Sequence, residues 1–151
     1  MAASVSISVE QRSTATPASV YDVLMDLDRW SDFMPGMSAA SWEVRGASDT
    51  GVGGIRRMRL GLGVTRDRIV DGTRPHHHAY VATLPWYQQM LLKDYRGDIR
   101  IEDRPNGSLI VWTASCTPRI PGLRNLNQTL IKSYARLAAA LAQEAERPAI
   151  R

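Results

Sequence analysis

Arg56, Arg57, Arg59, Arg66 and Arg68 crowd around a single acid, Asp67, on two short alternating stretches separated by Gly61-Leu62-Gly63. A guanidinium presents a planar fork of N–H donors that matches a carboxylate. An Arg–Asp pair facing a cavity can hold the polar end of an otherwise apolar ligand, or steady a developing enolate. Strand neighbours point to opposite faces, so the parity of the loop decides which arginine meets the acid. A three-residue loop sets Leu60 against Val64 and Arg57 opposite Asp67; a loop of the other parity pairs Arg56 with Asp67. On a solvent-facing side the same pair is an ordinary cross-strand ion pair worth under ~1 kcal/mol. Both readings stand at the level of sequence.

His76, His77 and His78 raise metal binding and proton transfer as further chemistries. Only His76 and His78 share a strand face. No cysteine lies near them, and Asp67 and Asp71 stand at no ligand spacing, so no metal and no cofactor is expected. Turned inward, His78 is the best general base in the chain; turned outward, it belongs to a solvated strand start after Pro75. No nucleophile motif accompanies it. Cys116 lies in a strand and reads as a small buried hydrophobe. Gly51-Val52-Gly53-Gly54 leads into a strand rather than a helix, which argues against a phosphate cradle.

The aromatic residues suit a flat, apolar ligand. Tyr95 shares a strand face with Ile99 and Ile101 and points inward by alternation. Trp42, Tyr80, Trp86, Tyr87 and Trp112 are spread over other segments. A cavity lined by such rings, with a few polar tips, would take a polycyclic molecule, although core filling alone would use the same residues. Trp86-Tyr87 follows Pro85 in a loop and reads as a lid over the mouth, beside Met90-Leu91-Leu92.

The elements that position these groups follow from periodicity. Residues 4–11 alternate Val5, Ile7 and Val9 with Ser4, Ser6 and Ser8, a strand with one buried face. Thr16-Pro17 opens a helix with Val20, Leu24 and Leu27 as its stripe, which gives out near Arg29. Residues 30–34 form a short turn of helix before Pro35-Gly36. Strands follow at about 41–45, 55–60, 64–71, 77–84, 91–103 and 109–117. Gly97 inside the fifth of these suggests a bulge or bend. Residues 121–146 form a long helix, roughly 39 Å at ~1.5 Å per residue. Its apolar face is Leu123, Leu126, Leu130, Tyr134, Leu137, Leu141 and Ala145, and Tyr134 is its one polar tip.

Composition bounds the rest. The chain has 151 residues, 44% hydrophobic and 23% charged, which fits one globular domain with a core at about 4–146. The net charge is +4, and all 19 basic residues are arginine except Lys93 and Lys132. That balance is too modest to indicate nucleic acid. A single cysteine excludes an internal disulfide. The N-terminus has no basic start or apolar run of a signal peptide, and no stretch reaches transmembrane length, so a cytoplasmic protein is expected.

The order of elements, the string LDRWSDFMPG (27–36) and the string VGGIRRMRLGLGVTRDRIVD (52–71) resemble the START-like, or Bet v1-like (SRPBCC), superfamily. Within it they are similar to bacterial proteins of the polyketide cyclase/dehydrase or lipid-transport type. Asp67 stands where that group's pattern implies a glutamate. The resemblance covers most of the chain and implies an α+β helix-grip fold. A seven-stranded curved antiparallel sheet would wrap round the long C-terminal helix, with two short helices after the first strand and a cavity between sheet and helix. It does not imply one chemistry.

The reading that results is a binding or carrier protein for a hydrophobic small molecule, lipid-like or polycyclic, acting as a monomer or dimer. The residues assigned to the ligand are Arg56, Arg57, Asp67, His78, Trp86, Tyr95, Trp112, Leu130 and Tyr134. Leu123, Leu126, Leu130 and Tyr134 would form one cavity wall. The alternative is a polyketide cyclase or dehydratase, in which Arg56 or Arg57 stabilises an enolate and Tyr95, Asp67 or His78 moves protons. A second alternative is docking of the Arg-rich hairpin on an acidic partner or an anionic membrane.

Overall fold

Polar–apolar alternation builds seven strands: β1 (Val5–Ser13), β2 (Met37–Val44), β3 (Ile55–Leu60), β4 (Gly63–Thr73), β5 (His77–Thr83), β6 (Leu92–Arg104) and β7 (Gly107–Pro118). A computed structural model describes residues 3–123 and 125–148. The strands form one sheet in the order β1-β7-β6-β5-β4-β3-β2, and every neighbouring pair is antiparallel. β2 to β7 is therefore a meander, as short loops demand, and β1 is added beside β7. Between β1 and β2 come α1 (Pro17–Met25), a 3-10 turn (Leu27–Arg29) and α2 (Trp30–Phe33). α3 (Trp86–Gln89) joins β5 to β6, and α4 (Leu126–Glu146) follows β7. Seven curved antiparallel strands with a long C-terminal helix make the expected helix grip. No helix among the described residues is long and apolar enough to cross a membrane.

α1 begins as its sequence directs. The Thr16 hydroxyl accepts the Ser19 N–H at 3.2 Å, and Pro17 occupies the first turn. Its stripe does not give out at Arg29. Leu27 and Trp30 are both buried, and the 3-10 turn between them, with its repeat of three residues, brings both to one side.

α4 is shorter than the residues' periodicity suggests. Gly122 (φ +84) and Asn125 (φ +62) both adopt left-handed backbone, which no right-handed helix can include. Pro121 and Leu123 therefore lie in the preceding loop. The two halves of α4 do different work. Ala138, Leu141 and Ala142 are fully buried, and the helix packs on β1 and α1. The Thr14 N–H donates to Glu146 Oε2 at 2.8 Å, and Arg29 pairs with Glu144. The N-terminal half is free of that anchoring: Leu126, Leu130, Tyr134 and Leu137 overhang a cavity instead.

One open alternative is decided and one local expectation changes. Of the two loop parities, the structure takes the one that sets Arg56 against Asp67: the β3–β4 loop has two residues, and Leu60 pairs with Gly63. Gly61 (φ +60) takes the first central position, where a type II′ turn requires glycine. The bulge in β6 falls between Lys93 and Arg96, at Asp94 (φ 54), rather than at Gly97. Gly97 has another function: a Cβ there would lie 2.1 Å from Tyr80 Cζ and 2.3 Å from its hydroxyl. The missing side chain lets the Tyr80 ring lie flat across β6 and reach β7.

Candidate functional site

The two-residue loop puts Arg56 opposite Asp67 and Arg57 opposite Arg66. Alternation then sends Arg56, Met58 and Leu60 to the inner face with Thr65 and Asp67, and leaves Arg57, Arg59, Arg66 and Arg68 on the outer face. Arg56 and Asp67 are 1% and 4% exposed. Arg56 Nη2 and Nε donate to Asp67 Oδ2 at 2.8 and 3.2 Å. The Arg56 guanidinium also lies 4.7 Å from the Trp30 ring centre and 5.1 Å from that of Tyr80.

His78 sits behind this pair. It is fully buried, and Arg56 Nη1 lies 3.2 Å from its Nε2. Arginine has only donors, so Nε2 accepts and the ring proton resides on Nδ1. Nδ1 has no hydrogen-bond partner of good geometry among the described residues. Burial first, and the Arg56 cation second, hold His78 down to about 3. It is a neutral imidazole throughout the physiological range. It is tied to Arg56 and does not line the cavity.

Tyrosines and tryptophans complete the inner face. The Trp112 indole N–H donates to the Tyr80 hydroxyl at 3.1 Å, and the Tyr95 and Tyr134 hydroxyls are hydrogen-bonded to each other. The Trp112 and Tyr134 rings meet edge-on with centres 5.3 Å apart. Burial raises Tyr95 to about 12 and raises Tyr80 and Tyr134 well above the usual phenol range. These phenols stay protonated and act as neutral hydrogen-bonding groups. Burial also pushes the Asp67 carboxyl up, against the pull of Arg56.

These groups line a cavity of about 500 Å³ between sheet and α4. Its floor is buried: Trp30, Met34, Met37, Arg56, Met58, Thr65, Asp67, Tyr80, Tyr95, Trp112 and Tyr134. Its rim is partly exposed: Leu60, Leu84, Gln88, Leu91, Leu126 and Thr129. The rim residues come from the end of β3, the end of β5, α3 and the start of α4, which antiparallel order gathers at one end of the sheet. Most of the volume is apolar, and the charged and phenolic groups are concentrated in the floor.

Of the residues assigned from sequence, Arg56, Asp67, Tyr95, Trp112, Leu130 and Tyr134 line this cavity together. Three do not. Arg57 is on the outer face because the loop parity differs. His78 is shielded behind Arg56. Trp86 is 74% exposed; it belongs to α3, outside the rim, in a shallow groove with Leu62, Gly63 and Tyr87. Gly63 is what lets α3 approach: a Cβ there would lie 2.5 Å from Pro85 Cγ and 2.6 Å from the Tyr87 hydroxyl. Leu123 precedes the helix and is absent from the wall. Tyr80 and Trp30 were not assigned. Tyr80 shares a strand face with His78 and was legible by parity; Trp30 continues the Val20–Leu24–Leu27 stripe by one more step of three. No group of three or more metal-ligating side chains occurs among the described residues.

A family model described as polyketide cyclase / dehydrase and lipid transport matches residues 4–146. The chain belongs to this family. Its fold is Bet v1-like, as the two sequence strings implied. Ara h 8.0201 is 12% identical with a TM-score of 0.75, covering 95% of this chain and 98% of that one. Norcoclaurine synthase from Thalictrum flavum, in complex with dopamine and hydroxybenzaldehyde, is 16% identical with a TM-score of 0.72, covering 99% and 91%. The Zhui aromatase/cyclase from Streptomyces sp. R1128 is 19% identical with a TM-score of 0.71, covering 97% and 95%. Likeness at these identities concerns fold alone. Among curated protein sequences, none matches the chain.

Proposed function

We propose that this family member binds or carries a largely apolar small molecule in the cavity beneath α4. The observation that carries the reading is the cavity itself: about 500 Å³, apolar through most of its volume, with Arg56, Asp67, Tyr95 and Tyr134 meeting at its floor. That size lies within the ~300–1,000 Å³ of small-molecule sites. Apolar contact supplies affinity, and the few polar groups orient the ligand. The exposed side chains Leu62, Trp86, Met90, Leu91 and Ile120 ring the same end of the fold as the mouth. Such a rim is consistent with handing an apolar ligand to or from another surface.

Native mass spectrometry of the purified protein, with solvent extraction of the same sample, tests this reading. A discrete added mass that denaturation releases, or saturable one-to-one uptake of neutral N-phenylnaphthylamine, is expected. A protein that emerges empty and takes up no such probe contradicts it.

A second reading draws on the family description, which includes cyclases and dehydrases. In it the cavity folds a poly-β-keto chain into a reactive geometry. Asp67 accepts a proton from an activated methylene, and the carbanion carbon attacks a second carbonyl of the same chain. The Tyr95–Tyr134 hydroxyl pair hydrogen-bonds that carbonyl's oxygen, which takes the proton back from Asp67 and restores the carboxylate. Turnover of a poly-keto thioester that is lost in Asp67→Asn, with fold retained, would favour this reading. Stable binding without turnover favours carriage.

A further inference from the structure

Arg56 faces the cavity but does not behave as a free cation. Nε and Nη2 donate to Asp67 Oδ2, Nη1 donates to His78 Nε2, and the rings of Trp30 and Tyr80 lie against the guanidinium. Asp67 is bound on one side only. Oδ2 takes both arginine hydrogen bonds, and Oδ1 takes none from the described residues. Asp67 lines the cavity, and Oδ1, unlike His78 Nδ1, is not sealed away without a partner. The two hydrogen bonds from the Arg56 cation favour the carboxylate form of Asp67 against the upward push of burial. With His78 neutral, that ion pair has no net charge, and the atom it turns to a ligand is a carboxylate oxygen.

The remaining polar tips are neutral. The Tyr95 and Tyr134 hydroxyls bond each other, and the Tyr80 hydroxyl takes the Trp112 indole proton. Around them stand Trp30, Met34, Met37 and Met58, flat or soft surfaces suited to an aromatic face. An anionic headgroup at this floor would meet Asp67 Oδ1 with no uncommitted cation among the described lining residues to offset it, in a site where charge is poorly screened. A hydroxyl would instead complete Asp67's vacant acceptor position and find phenol partners on its other side.

We infer that the cavity floor selects a neutral hydroxylated aromatic molecule, with its O–H donated to Asp67 Oδ1, and disfavours a carboxylate or phosphate at the same place. The inference rests on the binding reading proposed above and narrows it. It separates a phenolic ring system from a fatty acid or a phospholipid, whose headgroups carry a carboxylate or a phosphate.

The test is a competition at neutral pH, in which naphthol, naphthoate and naphthalene displace N-phenylnaphthylamine from the wild-type protein. These probes share a ring system and differ in the polar group. Naphthol should bind about tenfold or more tightly than naphthoate, the factor expected when a charge-assisted hydrogen bond is exchanged for a like-charge contact. Naphthalene should fall between them. In Asp67→Asn the repelling charge is gone, so naphthoate should gain and the gap should narrow. Naphthoate binding as tightly as naphthol in the wild type overturns the inference and leaves the binding reading standing. No uptake of the fluorophore and no binding of any probe overturns both. The wild-type ranking decides the matter even where Asp67→Asn does not fold.

Discussion

Two Arg–acid pairs with the same chemistry sit on opposite faces of the sheet, and both draw on the β3–β4 hairpin: Arg56 with Asp67 within it, and Arg66 of β4 with Glu43 of β2. Inside, the Arg56 and Asp67 side chains are 2% and 6% exposed; outside, Arg66 and Glu43 are 45% and 37% exposed. Both pairs make short hydrogen bonds: 2.8 Å inside and 3.0 Å outside. Distance therefore does not distinguish them, but burial does. The outer pair can exchange its partner for water at little cost. The inner pair cannot, because losing one member leaves an uncompensated charge in the core. A buried ion pair is a costly way to fill space, so its place at the floor of a cavity is better explained by what it presents to a ligand than by stability.

The largest expected effect comes from breaking the inner pair. Arg56→Ala should cost about 3–5 kcal/mol, read from urea denaturation, because Asp67 is left buried and alone. Replacing both members together by Met and Leu should recover much of that loss while abolishing the discrimination between naphthol and naphthoate. A full recovery of stability with discrimination intact would remove the pair from the site.

The next effect is the pH dependence of stability. The folded state holds His78 down to about 3, against an ordinary value of 6.5. The unfolded chain therefore binds a proton that the folded chain refuses, so stability from this group is present above 6.5 and is lost as pH falls toward about 3. Asp67, pushed upward, acts in the opposite direction over part of the same range. His78→Asn should flatten the acid-side decline attributable to the imidazole. An unchanged profile would mean that His78 is not desolvated as described.

Gly97→Ala probes the cavity floor without touching a charge. The added methyl would strike the Tyr80 ring, and the overpacking should cost roughly 1–3 kcal/mol and weaken probe binding. The same substitution would be nearly silent if Gly97 merely marked a bend. The smallest effect belongs to the outer face. Arg66→Ala should change stability by under ~1 kcal/mol and leave probe affinity unaltered. A large loss of probe affinity there would dissolve the contrast between the two faces.

The same hairpin shows how much was legible in the sequence. Alternation assigns Arg56 and Asp67 to one face or to opposite faces, and only the loop length chooses. That length depends on whether Gly63 belongs to the turn or to β4, and Gly63 in β4 lies against Pro85 and Tyr87, which local periodicity does not reveal. The element order, the resemblance and the apolar face of α4 were legible because they rest on local periodicity. The start of α4 was not, since Pro121 offers a plausible first turn while Gly122 and Asn125 take left-handed backbone. Gly97 was misread for a similar reason: its partner, Tyr80, is on another strand. Six of the nine assigned residues line the cavity. The three that do not were displaced by tertiary choices: a turn parity for Arg57, a shielding side chain for His78 and a short helix for Trp86.

The tryptophans offer the most direct measurement. Trp30 and Trp112 line the cavity floor, and Trp86 stands exposed outside the rim. Adding naphthol to isotope-labelled protein and following the indole N–H resonances reads both regions in one spectrum. A ligand in the cavity predicts saturable shifts of Trp30 and Trp112, with Trp86 nearly unmoved. A shift confined to Trp86, or none at all, would contradict the account.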